Sequence, residues 1–222
     1  MLTLQSTGSR LCDRISRRDV LEQCIVNGTL LAGAVTMSQT SLLAWWQRSE
    51  QSARKPTPAE VLGPFFKKGA PNVRVLRQAG DAGFPLRVSG RVLNTQGQAV
   101  PNAAVDVWQT DFYGNYDLKG FKYRAKIRPD HDGSYSVETI MPGHYADRPA
   151  QHIHYMIAAP GHRTLVTQAY FATDPYFEGD SSKNHAKGGL VQNMETIRPV
   201  TLFEGDGGGL AVITFDIVLE VA

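Results

Sequence analysis

An all-β fold, an antiparallel β-sandwich with irregular loops, is what this sequence predicts, and three observations predict it. From Pro85 onward the chain is cut into short runs rich in β-branched and aromatic residues. Turn formers separate those runs. Apolar residues recurring at helical spacing are nearly absent there, whereas alternation with a period of two recurs.

The runs follow in order. "LRVSGRVL" (Leu86–Leu93) alternates and ends in the hairpin-like turn "NTQGQ". "AAVDVWQT" is the next strand. "AKIRPDHDGSYSVETIMPG" reads as strand, Asp132-Gly133 turn, strand, Pro142-Gly143 turn. "QHIHYMIAA" and "TLVTQAYFA" follow, and after the "GDGGG" turn "LAVITFDIVL" is one more strand. Upstream, "RSEQSARKPTPAEV" is polar with two prolines, so residues 48–60 are expected to be a linker and 61–222 the folded domain. Some 160 residues suffice to bury one sizeable core.

Residues 1–47 have a different composition and read as an address. "SRRDVL" (Ser16–Leu21) matches a twin-arginine export signature, and a mildly apolar stretch broken by Asn27, Gly28 and Ser38 follows it. The other reading is an amphipathic helix of the mature protein with a chance Arg-Arg pair. Export by this route carries folded proteins to the periplasm or beyond, often with a cofactor already inserted.

The bulk numbers remove whole classes of function. Net charge is +2 with both signs interspersed, so neither nucleic acid nor an anionic membrane surface is an expected partner. No apolar run reaches the roughly 20 residues of a spanning helix, so the mature protein is expected to have no membrane span. Both cysteines, Cys12 and Cys24, lie in the N-terminal segment, which leaves the domain without thiolate chemistry.

"MPGHYADRPAQHIHY" (Met141–Tyr155) holds the candidate site. On a strand His152, His154 and Met156 share one face while Ile153, Tyr155 and Ile157 share the other. Two neighbouring neutral imidazoles are natural ligands for a transition metal, although the same spacing also occurs on ordinary solvated strands. Tyr145 follows the Pro-Gly turn seven residues earlier, and Tyr116 ends "DVWQTDFYGNY" after a Gly114 turn. A phenol with its usual pKa near 10 binds only a hard, highly charged metal well, and ferric iron is such a metal. A lone tyrosine is more commonly a sandwich-edge residue bonded to backbone. Asp106 and Trp108 read as core. His131, His162 and His185 read as solvated, and His144 is a candidate substrate contact.

Taken as an ordered set, "VLGPFF" (61–66), "VDVWQTDFYGNY" (105–116), "DGSYSVETIMPGHY" (132–145), "RPAQHIHY" (148–155) and "TQAYF" (167–171) resemble the intradiol ring-cleavage dioxygenases, the protocatechuate 3,4-dioxygenase and catechol 1,2-dioxygenase group. The resemblance runs from about residue 57 to 178. It implies a non-haem Fe(III) held by Tyr116, Tyr145, His152 and His154. It implies further that Tyr145 yields its place to a catechol-type substrate, that Arg148 and Gln168 act beside the metal, and that Val61 and Pro64 line the substrate pocket. The implied reaction uses O2 to open the ring between its two hydroxylated carbons, giving a muconate-type diacid without an organic cofactor. A homo-oligomer is implied too. One departure stands out: "RPAQHIH" is a residue longer than the usual "RPAHIH", which puts the placement of Arg148 in question. The absence of a long helical N-terminal region in the domain itself leaves substrate choice open, with catechol or hydroxyquinol types favoured over protocatechuate.

Two rival readings keep a sandwich. "VSGRVLNTQGQAVPNAAVDVWQTDFYGNY" also resembles transthyretin-like or carboxypeptidase-regulatory modules, extracellular binding domains without catalysis. Those modules explain Tyr116 and the Pro-Gly-x-Tyr turn but leave His152 and His154 unexplained. The second rival binds zinc or copper through the histidines alone.

Overall fold

The computed structural model describes residues 53–145, 148–177, 191–204 and 208–222. The expected export segment (1–47), residues 48–52 of the expected linker and His185 lie outside them. The chain divides into two units, Met1–Trp45 and Trp46–Ala222, and every described residue belongs to the second.

The described residues form ten strands: β1 (Pro85–Asn94), β2 (Ala104–Trp108), β3 (Arg124–Ile127), β4 (Ser134–Ile140), β5 (His152–Ala158), β6 (Leu165–Phe171), β7 (Ile197–Arg198), β8 (Thr201–Phe203), β9 (Leu210–Thr214) and β10 (Ile217–Leu219). Single 3-10 turns at Pro175–Phe177 and Met194–Thr196 are the only helical segments among them. No helix among the described residues is long and apolar enough to cross a membrane.

Two five-stranded sheets pack face to face. In the first, β1 is the hub. It pairs antiparallel with β4 along one edge and parallel with β9, then β10, along the other, while β8 adds to β9. The second has the order β3-β2-β5-β6-β7. Alternate residues of each sheet point into one core. Val88, Val137 and Ile213 come from the first sheet, and Val105, Val107, Ile127, Ile153, Tyr155, Ile157 and Phe171 from the second. Each such side chain, fully removed from water, contributes about 1.5–3 kcal/mol.

The sandwich is therefore as expected, with three parallel pairings added: β1–β9, β1–β10 and β6–β7. Period-two alternation reports which face is buried, not which way the neighbouring strand runs. The run "LAVITFDIVL", expected as a single strand, breaks at Phe215–Asp216. There Phe215 N donates to Ser89 O at 2.8 Å, and Asp216 Oδ1 accepts from Arg91 N at 3.0 Å. The break lets one run serve both halves of β1. β7 and β8, two and three residues long, are too short to leave a pattern.

The described part of the expected linker is not free. Thr57 N donates to Val218 O (3.0 Å) and Thr57 Oγ1 accepts from Val218 N (2.8 Å). Glu60 N donates to Val166 O (2.8 Å), and Thr167 Oγ1 donates to Pro58 O (2.8 Å). Residues 54–60 are thus a strap fastened across β10 and β6. The prolines that suggested a spacer instead hold the strap extended.

The register of the second sheet positions the site. β5 lies between β2 and β6, with His154 opposite both Trp108 and Gln168, and His152 opposite Tyr170. These side chains share the face turned away from the core.

Candidate metal centre

A polar face on a central strand must be satisfied or covered, and here loops cover it. Both histidines are buried, at 3% and 1% exposure. His152 Nδ1 lies 2.7 Å from Ala150 O, so Nδ1 carries the proton and Nε2 keeps its lone pair. That Nε2 lies 3.1 Å from His154 Nε2, which is in turn 3.0 Å from Tyr116 Oη. The ring of Tyr145 is 5.6 Å from that of Tyr116 and 5.7 Å from that of His152. The four side chains singled out in the sequence therefore meet at one place.

Tyr116 and Tyr145 sit on loops locked together backbone to backbone. Asp111 shapes the first loop, its carboxylate accepting from Tyr113 N and Asn115 N at 2.9 Å each. Gly143 N donates to Asp111 O (2.8 Å), and Thr110 Oγ1 donates to Gly143 O (2.9 Å). Two glycines permit this approach. A Cβ on Gly114, which has φ +83°, would come within 2.0 Å of His144 O, and one on Gly143 within 2.3 Å of Phe112 O.

The segment after the strap crosses the site. Phe65 stacks on Tyr116 (4.3 Å, 18°) and meets Tyr145 edge-on. Arg124 is buried, donates through Nη1 to Phe65 O at 2.6 Å and through Nε and Nη2 to Asp117 O, and lies 5.8 Å from the centre of the Tyr116 ring. Gly63 passes over the imidazole of His154. Of the two expected pocket residues, Val61 contacts the site through its carbonyl, which accepts from Gln168 Nε2 at 2.7 Å, while its side chain is 59% exposed. Pro64 is exposed as well.

Arg148 reaches the site despite the extra residue. Its Nη1 donates to Gln168 Oε1 at 2.6 Å, and the same oxygen accepts from Tyr170 Oη at 2.6 Å. Gln151 absorbs the insertion by turning aside: its Nε2 donates to Pro142 O (2.7 Å) and its backbone N to Asp174 Oδ2 (2.5 Å).

Two expectations need correction. Trp108 is not a core residue; it lies on the site face and stacks on His154 (4.8 Å, 3°), with Phe66 against its edge. Val105 and Val107 take the core face of β2, so alternation puts Trp108 on the other face with Asp106, which is likewise not a core residue and lies 3.3 Å from Lys126 Nζ. His144, the candidate substrate contact, is bound to the turn after β6: its Nε2 lies 3.1 Å from Asp174 Oδ1. Asp174, Arg124, Phe65 and Tyr170 join the site as well, and the sequence marks none of them strongly. The "RAKI" strand carries two cations, Arg124 and Lys126, with nothing to mark Arg124 as the buried one, and Asp-Pro after "YFAT" is the available signal for Asp174.

Burial sets the electrostatics. It depresses the pKa of His152 to about 4, with the charge of Arg148 adding to the effect and the Ala150 carbonyl opposing it. His154 is pushed well below its usual value by burial, then by His152, Arg148 and Arg124. Both imidazoles are neutral at pH 7 and present nitrogen lone pairs. Burial also raises the Tyr116 phenol, as does Tyr145, against the pull of Arg148 and Arg124. Two converging nitrogen lone pairs and two phenol oxygens fit a hard, highly charged cation, which would hold the phenols as phenolates. Among the described residues no group of three or more His, Cys, Asp or Glu side chains gathers to hold a metal, so a site here needs the tyrosines.

Residues 61–221 match the family described as Dioxygenase. Chlorocatechol 1,2-dioxygenase of Rhodococcus opacus is 30% identical over 194 residues, 74% of this chain and 72% of that protein. Catechol 1,2-dioxygenase of Acinetobacter baylyi is 32% identical over 193 residues, 73% of this chain but only 62% of its own length. The dioxygenase domain of a dioxygenase carbohydrate-binding protein fusion from Streptomyces sp. SirexAA-E superimposes with a TM-score of 0.63 at 33% identity, covering 76% of this chain and 100% of that domain. The likeness takes in both sheets and every loop that carries the site, and by it the chain belongs to the intradiol ring-cleavage dioxygenases.

Proposed function

We propose that the chain binds non-haem Fe(III) through Tyr116, Tyr145, His152 and His154. In this reading it uses O2 to cleave a catechol-type ring between its two hydroxylated carbons, placing both oxygen atoms in a muconate-type diacid. The observation that carries the reading is that His154 Nε2 lies 3.1 Å from His152 Nε2 and 3.0 Å from Tyr116 Oη, beside Tyr145. Buried histidines in that arrangement disfavour a transthyretin-like binding module, which has no use for them.

Ferric iron in this donor set would supply a Lewis acid that takes both oxygens of a catechol and draws electron density from its ring. The remaining work falls to the chain. Neutral imidazoles, kept so by burial, leave Nε2 free to donate. Tyr116 is pinned by the Phe65 stack and by Arg124, which suits a permanent ligand. Tyr145, on the half-buried loop after Pro142-Gly143, accepts a substrate proton at Oη and turns aside. Arg148, oriented by Gln168, sets a positive charge beside the electron-rich ring. Phe65 and Trp108 keep water from the cluster.

The curated relatives act on chlorocatechol, catechol and hydroxyquinol by name, so an uncharged catechol or hydroxyquinol is the proposed substrate class, ahead of protocatechuate. Export by the twin-arginine route and self-association of the chain are parts of the same proposal. The former rests on Ser16–Leu21 and the latter on family analogy.

The test is the visible spectrum of the iron-loaded protein before and after anaerobic catechol. A red-brown tyrosinate band that shifts with catechol is expected, whereas a protein that stays colourless with ferric iron overturns the reading in favour of zinc, copper or no metal. Tyr145→Phe is expected to keep much of the iron, to move the band and to lower kcat by about 100-fold, in the range of a lost acid–base group; unchanged turnover would assign the displaced base elsewhere.

A further inference from the structure

The proposed reaction makes no use of Asp174, yet its carboxylate is fully buried, with a side-chain exposure of 0%. A carboxylate withdrawn from water needs several donors to persist. Asp174 has three: Gln151 N at 2.5 Å and Tyr176 N at 2.8 Å, with His144 Nε2 at 3.1 Å. The turn that presents it is rigid in its own right, since Asp174 N donates to Phe171 O and Phe177 N to Asp174 O, both at 3.0 Å.

The identity of the partners gives the arrangement its meaning. His144 is covalently joined to Tyr145, and Gln151 to His152. One carboxylate, carried on the turn after β6, thus grips the residue preceding a tyrosine of the site and the residue preceding a histidine of the site. Gln151 adds a second stitch between the same two segments through its carboxamide and Pro142 O. Gln151 is also the residue by which "RPAQHIH" exceeds the usual spacing, so this chain has both an insertion and an anchor that uses it.

We infer that Asp174, acting through His144 and Gln151, is a positioning residue that fixes Tyr145 relative to His152 and thereby sets how readily substrate takes the place of Tyr145. The inference rests on the metal-centre reading above. Asp174 touches neither the proposed metal nor the substrate; its effect passes through the two segments it joins.

Asp174→Asn keeps the shape but turns an N–H2 toward donors that need an acceptor. In the metal-free protein, hydrogen exchange at the Gln151 amide and across the Met141–Tyr145 segment is expected to quicken about tenfold as the local opening energy falls. In the iron-loaded protein the tyrosinate band is expected to move and anaerobic catechol to bind about tenfold more weakly, the scale of a lost outer contact at a metal site. His144 is nearly half exposed, so His144→Phe tests the same link without disturbing a buried carboxylate; it is expected to move the band in the same direction. His144→Gln, which can still donate to Asp174, is expected to restore the parent spectrum. A coloured parent whose band, catechol affinity and exchange rates are all unmoved in Asp174→Asn and His144→Phe would overturn the positioning role alone. A parent colourless with ferric iron would overturn the metal centre and this role with it.

Discussion

A His154→Ala protein is expected to be folded, colourless, free of iron and inactive toward catechol. The Nε2 of His154 stands between two of the other three donors, 3.1 Å from His152 Nε2 and 3.0 Å from Tyr116 Oη. On the same face its neighbours are Trp108 and Gln168 across the strands and Met156 along β5, and none offers a comparable ligand at that point. Folding survives because two effects oppose each other. Removing the ring forfeits its stack on Trp108 and leaves a cavity, a cost of about 2–5 kcal/mol by the usual transfer and cavity terms. It also removes a buried Nδ1 that finds no partner among the described residues, relieving a penalty of about 1–3 kcal/mol and offsetting part of that cost. Iron content by elemental analysis and near-ultraviolet circular dichroism separate the outcomes. Full iron occupancy in a native-like His154→Ala protein would remove His154 from the ligand set.

Gly143→Val is expected to separate the two tyrosines and to lose ring cleavage by at least about 100-fold while the sandwich itself remains. The first atom of the new side chain would meet Phe112 O at 2.3 Å and Gly114 N at 2.4 Å. Both are backbone atoms in a loop already held by the Asp111 turn, so no flexible side chain can swing clear. The loops must part, breaking Gly143 N–H to Asp111 O and Thr110 Oγ1 to Gly143 O. Overpacking of this kind costs about 1–3 kcal/mol, within reach of a domain whose core lies elsewhere. The misplacement falls on Tyr116 and Tyr145, where about 1 Å of error suffices for a rate loss of that size. Thermal unfolding and the tyrosinate band, read together, check this: a lowered melting temperature with an unaltered band would show that the loops tolerate the clash.

How much of this was legible in the sequence depends on the kind of information each residue carries. The faces of β5 were readable because alternation is a property of the strand itself, and Ile153, Tyr155 and Ile157 lie in the core as the pattern requires. The four donors were readable because a H-x-H pair and two turn-borne tyrosines each leave a local mark. Their meeting was not: it depends on Gly114 and Gly143 lying against one another's loops, a contact between segments some thirty residues apart in the chain. Trp108 was misplaced for a related reason. Hydrophobicity says that a side chain is buried, but not whether the opposite sheet or the covering loops bury it. The strap over 54–60 reads as a spacer because its bonds are backbone and hydroxyl contacts to β10 and β6, and a polar, proline-containing run gives no hint of them. Asp174 escaped notice because a carboxylate in an Asp-Pro turn ordinarily faces water.

The place of β1 at the centre of the first sheet bears on when the molecule can form. β1 lies early in the domain, yet along one edge it pairs parallel with β9 and β10, which follow it by more than a hundred residues. Until those residues leave the ribosome, one edge of the hub strand has no partner and the first wall of the core is incomplete over that stretch. Closing so long a loop is slow compared with forming a local hairpin. Assembly of the sandwich thus waits on the synthesis of β9 and β10, with an unpaired, apolar edge exposed in the interval. For a chain proposed to cross a membrane already folded, the pairings of β1 with β9 and β10 would have to be complete before the crossing.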